Sequence, residues 1–245
     1  MEKIGCKRFG VLLCAEDSEY VIKMHGGYSG VFLKMLEEEN ETWDMYKVSC
    51  GEFPKDDELS LYDGFVITGS CNDAYGNEKW ICDLVTLIKK LNSMQTKIIG
   101  VCFGHQVLGR ALGGKVGRSP TGWDIGVRTI TLSSHISFPS LDLPTKLSII
   151  ECHRDEIQEL PAKAEVIARS DKTGIEMFKY GDHIMGIQGH PEYSKDILLF
   201  LIDRLIQRNF IKEAFAIGAR ERAHLLEPDT NAWKKLCTSF LKNGF

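Results

Sequence analysis

KIIGVCFGHQVLGRALGG, residues 97–114, is the stretch on which the fold and the chemistry of this chain both turn. Lys97 to Val101 form an apolar, β-branched run of the kind buried inside a sheet. Gln106, Val107, Leu108, Ala111 and Leu112 then follow helical spacing until Gly113 and Gly114 end it. Cys102 stands at the junction, flanked by Gly100 and Gly104. A side chain on so sharp a strand-to-helix turn needs small neighbours, and the following helix aims its free amides and positive dipole end at the sulfur. Such surroundings lower a thiol's pKa and favour the reactive thiolate. The plain alternative is a small buried hydrophobe, a common fate of free cysteine.

A second stretch, HIMGIQGHPEYS at residues 183–194, reads as a short apolar strand ending in a Gly-His-Pro-Glu turn, with Ser194 as N-cap of an amphipathic helix. A cysteine nucleophile needs a base, and the base needs an acid that fixes its tautomer. His190 and Glu192 suit those roles, with Pro191 stiffening the turn between them. A surface histidine beside a helix cap is the alternative.

Together, GVCFGHQ at residues 100–106 and GIQGHPE at residues 186–192 resemble the nucleophile and His-x-Glu motifs of class I glutamine amidotransferases. The resemblance implies a flavodoxin-like α/β fold, with Cys102 as nucleophile, His190 as general base and acid, and Glu192 orienting His190. It also implies an oxyanion hole of two main-chain N–H groups: Gly69, at the end of GFVITGS, and Phe103, the residue after the nucleophile. Gln106 matches the glutamine that helps hold a glutamyl group. His153 and Asp155 of CHRDEI match a His-x-Asp stretch beside the substrate pocket, although a solvated charged turn would read the same way. GWDIG departs from the family pattern, with Asp124 where a glutamate usually stands.

Outward from these motifs, strands and helices alternate. Strands are expected at residues 9–14, 44–49 and 64–68, and helices at 28–39 and 78–91. This order implies a mostly parallel twisted sheet with helices on both faces and a site at the carboxyl ends of its strands. Shorter alternating runs at 127–132, 147–150, 166–170 and 175–178 imply a small antiparallel section beside the elbow, followed by a long helix at 194–210. Residues 1–210 read as a catalytic domain, and residues 211–245 as a C-terminal extension of two helices divided near Pro228.

At 245 residues, with 43% hydrophobic and 26% charged content, the chain can bury one full core. Its net charge of −4 leaves no electrostatic footprint for nucleic acid or an anionic membrane. No apolar run approaches the roughly 20 residues of a membrane span, and the N-terminus lacks a signal-peptide pattern, so a cytosolic setting is expected. Eight cysteines lie singly with no Cys-x-x-Cys pair, which argues against zinc and dithiol sites. No metal and no cofactor are expected.

The scheme does not require the leaving group to be ammonia. The helical tail has neither the length nor a phosphate-binding loop for a second, ammonia-using site. Two enzyme readings follow: a glutaminase subunit that docks on a separate synthase, or a hydrolase that works alone. The solitary domain with a helical extension resembles the plant γ-glutamyl peptidases, whose implied substrates are glutathione or its S-conjugates. A non-catalytic binding or sensor protein on the same fold is a third reading, although such a relative would be expected to lose part of the Cys, His and Glu set.

Overall fold

The computed structural model describes residues 6–133 and 141–243. Residues 1–5 of the N-terminal stretch and 244–245 of the extension lie outside that range. In chain order, the first elements are β1 (Lys7–Leu12), α1 (Glu19–His25), α2 (Gly27–Leu36), β2 (Glu41–Tyr46), β3 (Gly64–Ile67), α3 (Lys79–Ser93), β4 (Lys97–Val101) and α4 (Phe103–Ala111). They are followed by β5 (Lys115–Arg118), β6 (Asp124–Leu132), β7 (Lys146–His153), β8 (Asp155–Glu159), β9 (Ala164–Arg169), β10 (Met177–Tyr180) and β11 (Ile184–Ile187). Helices α5 (Lys195–Gln207), α6 (Glu213–Leu225) and α7 (Thr230–Lys242) close the chain.

Nine strands form one sheet in the order β2-β1-β3-β4-β11-β10-β9-β6-β7. The β2-β1-β3-β4-β11 half is parallel, and from β11 through β10, β9, β6 and β7 every pairing is antiparallel. The antiparallel section is therefore a continuation of the parallel sheet, larger than the alternating runs suggest. The central strands β3 and β11 are buried at every residue, because helices cover both faces.

One face packs Phe32, Met35 and Leu36 of α2 with Trp233, Leu236 and Phe240 of α7. The other packs Ile81, Leu84 and Ile88 of α3 with Val107 and Leu108 of α4. Ile197 and Ile202 of α5 and Ala216 and Ala219 of α6 cover Ile125, Val127 and Ile150 in the antiparallel half. Both terminal helices thus bury side chains against the sheet.

Several boundaries differ from expectation for local reasons. The helix expected to run to Glu39 stops at Leu36, because Glu37 turns extended. The second strand spans Glu41–Tyr46, and Val48–Cys50 wind into a 3-10 turn. Helix α1 was not anticipated. It is seven residues long, with the Ser18 side chain accepting from Val21 N–H and Gly26 closing it at φ 73°. Ser194 sits at the N-cap of α5, but its hydroxyl takes no main-chain N–H.

Candidate active site

The elbow is built by close backbone approach. Cys102 leaves β4 at φ 54° and ψ −104°, a strained backbone that also starts α4. Its N–H donates to Ile187 O of β11 at 2.8 Å, and its carbonyl accepts the first helical N–H from Gln106 at 3.0 Å. A Cβ on Gly104 would lie 2.3 Å from Ile67 O, so only glycine lets α4 begin this close to β3. Cys102 is buried, at the carboxyl end of the central strand.

The turn after β11 brings the histidine to the same end. His190 N–H donates to Ile150 O of β7 at 2.7 Å, which ties the turn to the antiparallel half. Nδ1 lies 2.8 Å from Glu192 Oε1, so the carboxylate accepts the Nδ1 proton and leaves Nε2 on the opposite edge of the ring. Tyr193 stacks flat on the imidazole, with centroids 4.0 Å apart and planes within 2°. Burial opposes a charge on His190. The Glu192 carboxylate and Cys102, which also hydrogen-bonds to it, outweigh that and push its pKa up to about 10.

Gly69 completes the group. A methyl placed on it would lie 2.9 Å from His190 Cε1, 3.8 Å from His190 Nε2 and 3.7 Å from Cys102 Cβ. The loop carrying it is fixed by Thr68, whose hydroxyl accepts Cys14 N–H at 3.0 Å and donates to Gly69 O at 3.2 Å. The main-chain N–H groups of Gly69 and Phe103 meet no protein acceptor among the described residues.

The remaining expected residues gather on one side of Cys102. Strands β7 and β8 belong to different sheets and are separated by Arg154 alone, which aims His153 and Asp155 at the cleft. Gln106 Nε2 donates to Asp155 O at 2.8 Å and to Gln188 Oε1 at 3.2 Å, so its amide is buried and committed to holding this turn. His153 Nδ1 donates to Asp155 O at 3.0 Å. Arg118 Nη1 lies 2.7 Å from Asp155 Oδ1. Burial, with Asp73 nearby, pushes the Asp155 carboxyl up against the pull of Arg118. Gln106, His153, Asp155, Arg118 and Asp73 line a cleft of about 740 Å³ together with Cys102, Gly69 and His190.

The family model described as "Glutamine amidotransferase class-I" matches residues 21–197. This chain belongs to the class I glutamine amidotransferase family. Among its relatives, "Gamma-glutamyl peptidase 5" of Arabidopsis thaliana is 47% identical over 240 residues, covering 96% of each chain. "Gamma-glutamyl peptidase 3" of the same plant is 44% identical, covering 96% of this chain and 97% of that one. In fold, the chain is similar to the crystal structure of a glutamine amidotransferase from Thermotoga maritima (TM-score 0.73, 22% identity, covering 97% of this chain and 99% of that one).

Part of what surrounds the site in this family member was not visible in the sequence. Glu151 and Glu176 are fully buried behind His153, and their ligand atoms and a ring nitrogen of His153 lie within 4.8 Å of one another. That donor set has the composition of a cation site. Burial pushes both carboxyls well above the usual range, helped by the charge of Asp124 at Glu151 and of Glu151 at Glu176, which favours protons there instead. Asp124 is also buried and accepts from Arg128 Nε at 2.8 Å. The one available signal was a glutamate inside the apolar strand run SIIECH. Among the described residues, no helix is long and apolar enough to cross a membrane.

Proposed function

We propose that this chain hydrolyses γ-glutamyl amide bonds, with glutathione or its S-conjugates as substrates. The observation that carries the reading is the convergence of Cys102, the Glu192-bound edge-on imidazole of His190 and the Gly69 amide within one buried cleft. The relatives named γ-glutamyl peptidase, matched across nearly the whole chain, support the substrate class.

In this reading Cys102 Sγ adds to the γ-carbonyl carbon, and the N–H groups of Gly69 and Phe103 hold the oxyanion. The elevated proton affinity of His190 suits an imidazolium beside a thiolate. His190 gives its proton to the departing nitrogen as the C–N bond breaks, leaving a γ-glutamyl thioester. Water then yields a proton to His190 and its hydroxide to the acyl carbon, and the thioester C–S bond breaks to release glutamate and restore the thiolate beside the imidazolium. Gln106, His153 and Asp155 shape the glutamyl end. Residues 1–210 act as the catalytic domain and 211–245 as its C-terminal extension, whose helices α6 and α7 pack over the sheet. A cytosolic setting is part of the reading, supported by eight free thiols.

Glutamate release by the purified chain tests it. Glutathione and S-substituted glutathiones should be cleaved faster than glutamine, and Cys102→Ala should abolish turnover with an unchanged melting temperature. Near-wild-type turnover in that variant would refute the assignment. The family model's description favours a glutaminase subunit as a second reading. Silence toward every γ-glutamyl peptide, with glutamine hydrolysis appearing on addition of a synthase, would select it.

A further inference from the structure

The charged lining of the cleft sorts into two ends. At one end acid and base are paired: Arg118 lies 2.7 Å from Asp155 and 3.4 Å from Asp73. This end matches a zwitterionic glutamyl head, which offers one cation and one anion. Beyond this pairing, Arg154, Arg204 and Arg208 also line the cleft and form no direct ion pair with a carboxylate among the described residues, although the charge of Arg154 is felt by its neighbour Asp155. Against these three guanidiniums stands one unpaired acid of the lining, Glu16.

Two buried donors at the same end are also unsatisfied. Trp123 Nε1 and Arg154 Nε are both shielded from solvent without an acceptor, and Arg154 stacks 5.3 Å over the Trp123 ring. Buried N–H groups are rarely left unpaired in a native protein, so two of them beside a cleft indicate where an acceptor is to be supplied. Phe210, with its ring 6.4 Å from that of Trp123, stays 49% exposed although it lines the cleft. An exposed aromatic beside unpaired guanidiniums fits a ligand with an apolar body and an anionic end.

We infer that Arg154, Arg204 and Arg208, with Trp123 and Phe210, seat the departing amine, and that they select amines ending in a free carboxylate. The inference rests on the γ-glutamyl hydrolase reading and adds a specificity determinant to it. A bare ammonia leaving group would use none of these residues. A carboxylate held by one charge-assisted hydrogen bond would be favoured about tenfold or more.

The test compares two substrates that differ at one group: γ-glutamyl-cysteinyl-glycine and the same peptide ending in glycinamide. In the wild-type protein kcat/KM should favour the acid by about tenfold or more. In the double variant Arg204→Gln, Arg208→Gln that ratio should fall toward one, and Arg204→Lys, Arg208→Lys should recover part of it. Arg204 is half-buried in the last turn of α5 and Arg208, its C-cap, is exposed, and a ratio of two substrates is insensitive to the amount of folded enzyme. A wild-type ratio near one overturns the inference. So does a double variant that slows both substrates equally, because the guanidiniums would then be holding the glutamyl group's own carboxylate. Failure of the wild-type protein to cleave either peptide overturns the parent reading instead, and the inference with it.

Discussion

Replacing Gly69 with alanine should impair catalysis while sparing the fold. The added methyl would sit 2.9 Å from His190 Cε1, whereas unstrained carbon contacts begin at about 3.5–4.0 Å. The imidazole would therefore have to retreat by roughly 0.6–1.1 Å from the new methyl, out of its present alignment beside Cys102. Tyr193 stacks on the ring and Ile150 holds the turn, so the ring cannot yield freely. A displacement near 1 Å costs on the order of 100-fold in rate, or about 2.7 kcal/mol of barrier. Gly69 is not in the left-handed region, and alanine keeps the main-chain N–H, so neither backbone strain nor loss of the donor confuses the outcome. Single-turnover glutamate release should fall by about two orders of magnitude, with a melting temperature equal to or slightly above that of the parent. A variant retaining more than half of the parent rate would refute the packing argument for the site.

Glu192→Gln should slow turnover by roughly 10- to 150-fold, the size of a charge-assisted hydrogen bond, and His190→Ala should be slower still. The reverse ranking, measured under saturating substrate, would count against the roles given to the pair. Because the folded state raises His190 from 6.5 to about 10, its stabilising contribution is complete below pH 6.5 and is lost as pH rises toward 10. The Glu192→Gln variant should thus melt below the parent at pH 6 and converge with it near pH 10, and parallel melting curves across that range would contradict the coupling. Trp233 is fully buried and donates through Nε1 to Ser148 O at 2.9 Å. Its replacement by alanine should cost about 3–5 kcal/mol in urea unfolding, and a loss under 1 kcal/mol would mean that α7 contributes little to the core.

The parts of this molecule that were legible from sequence are those set by short-range geometry. Gly100 and Cys102 announce the elbow because the crowding at Gly100 comes from Gly104 and Leu108, a few residues on, whereas the approach that Gly104 permits is to Ile67 of a distant strand. The Gly-His-Pro-Glu turn is local in the same way. Strand β2 was misplaced because its residues are mostly half-buried and follow no clean alternation. The partnership of β5 with β8 joins residues some 40 positions apart, and no periodicity encodes it. Glu151 and Glu176 were invisible as a pair because each looks like a single acid in an apolar run. Arg204 and Arg208 read as ordinary surface charges on a helix, and only the packing of α5 turns them toward the cleft.

The first strand and the last helix share one body of side chains: Phe9 of β1 packs in the same cluster as Trp233 and Phe240 of α7, and Lys7 Nζ donates to Lys242 O at 2.8 Å. During synthesis, that strand must therefore wait, with its apolar flank uncovered, until the residues of α7, about 220 positions further on, have emerged from the ribosome. At about 5–20 residues per second the exposed interval lasts on the order of tens of seconds. Until α7 is available, Phe9 lacks the cover that Trp233 and Phe240 give it, and the uncovered sheet face is exposed to aggregation.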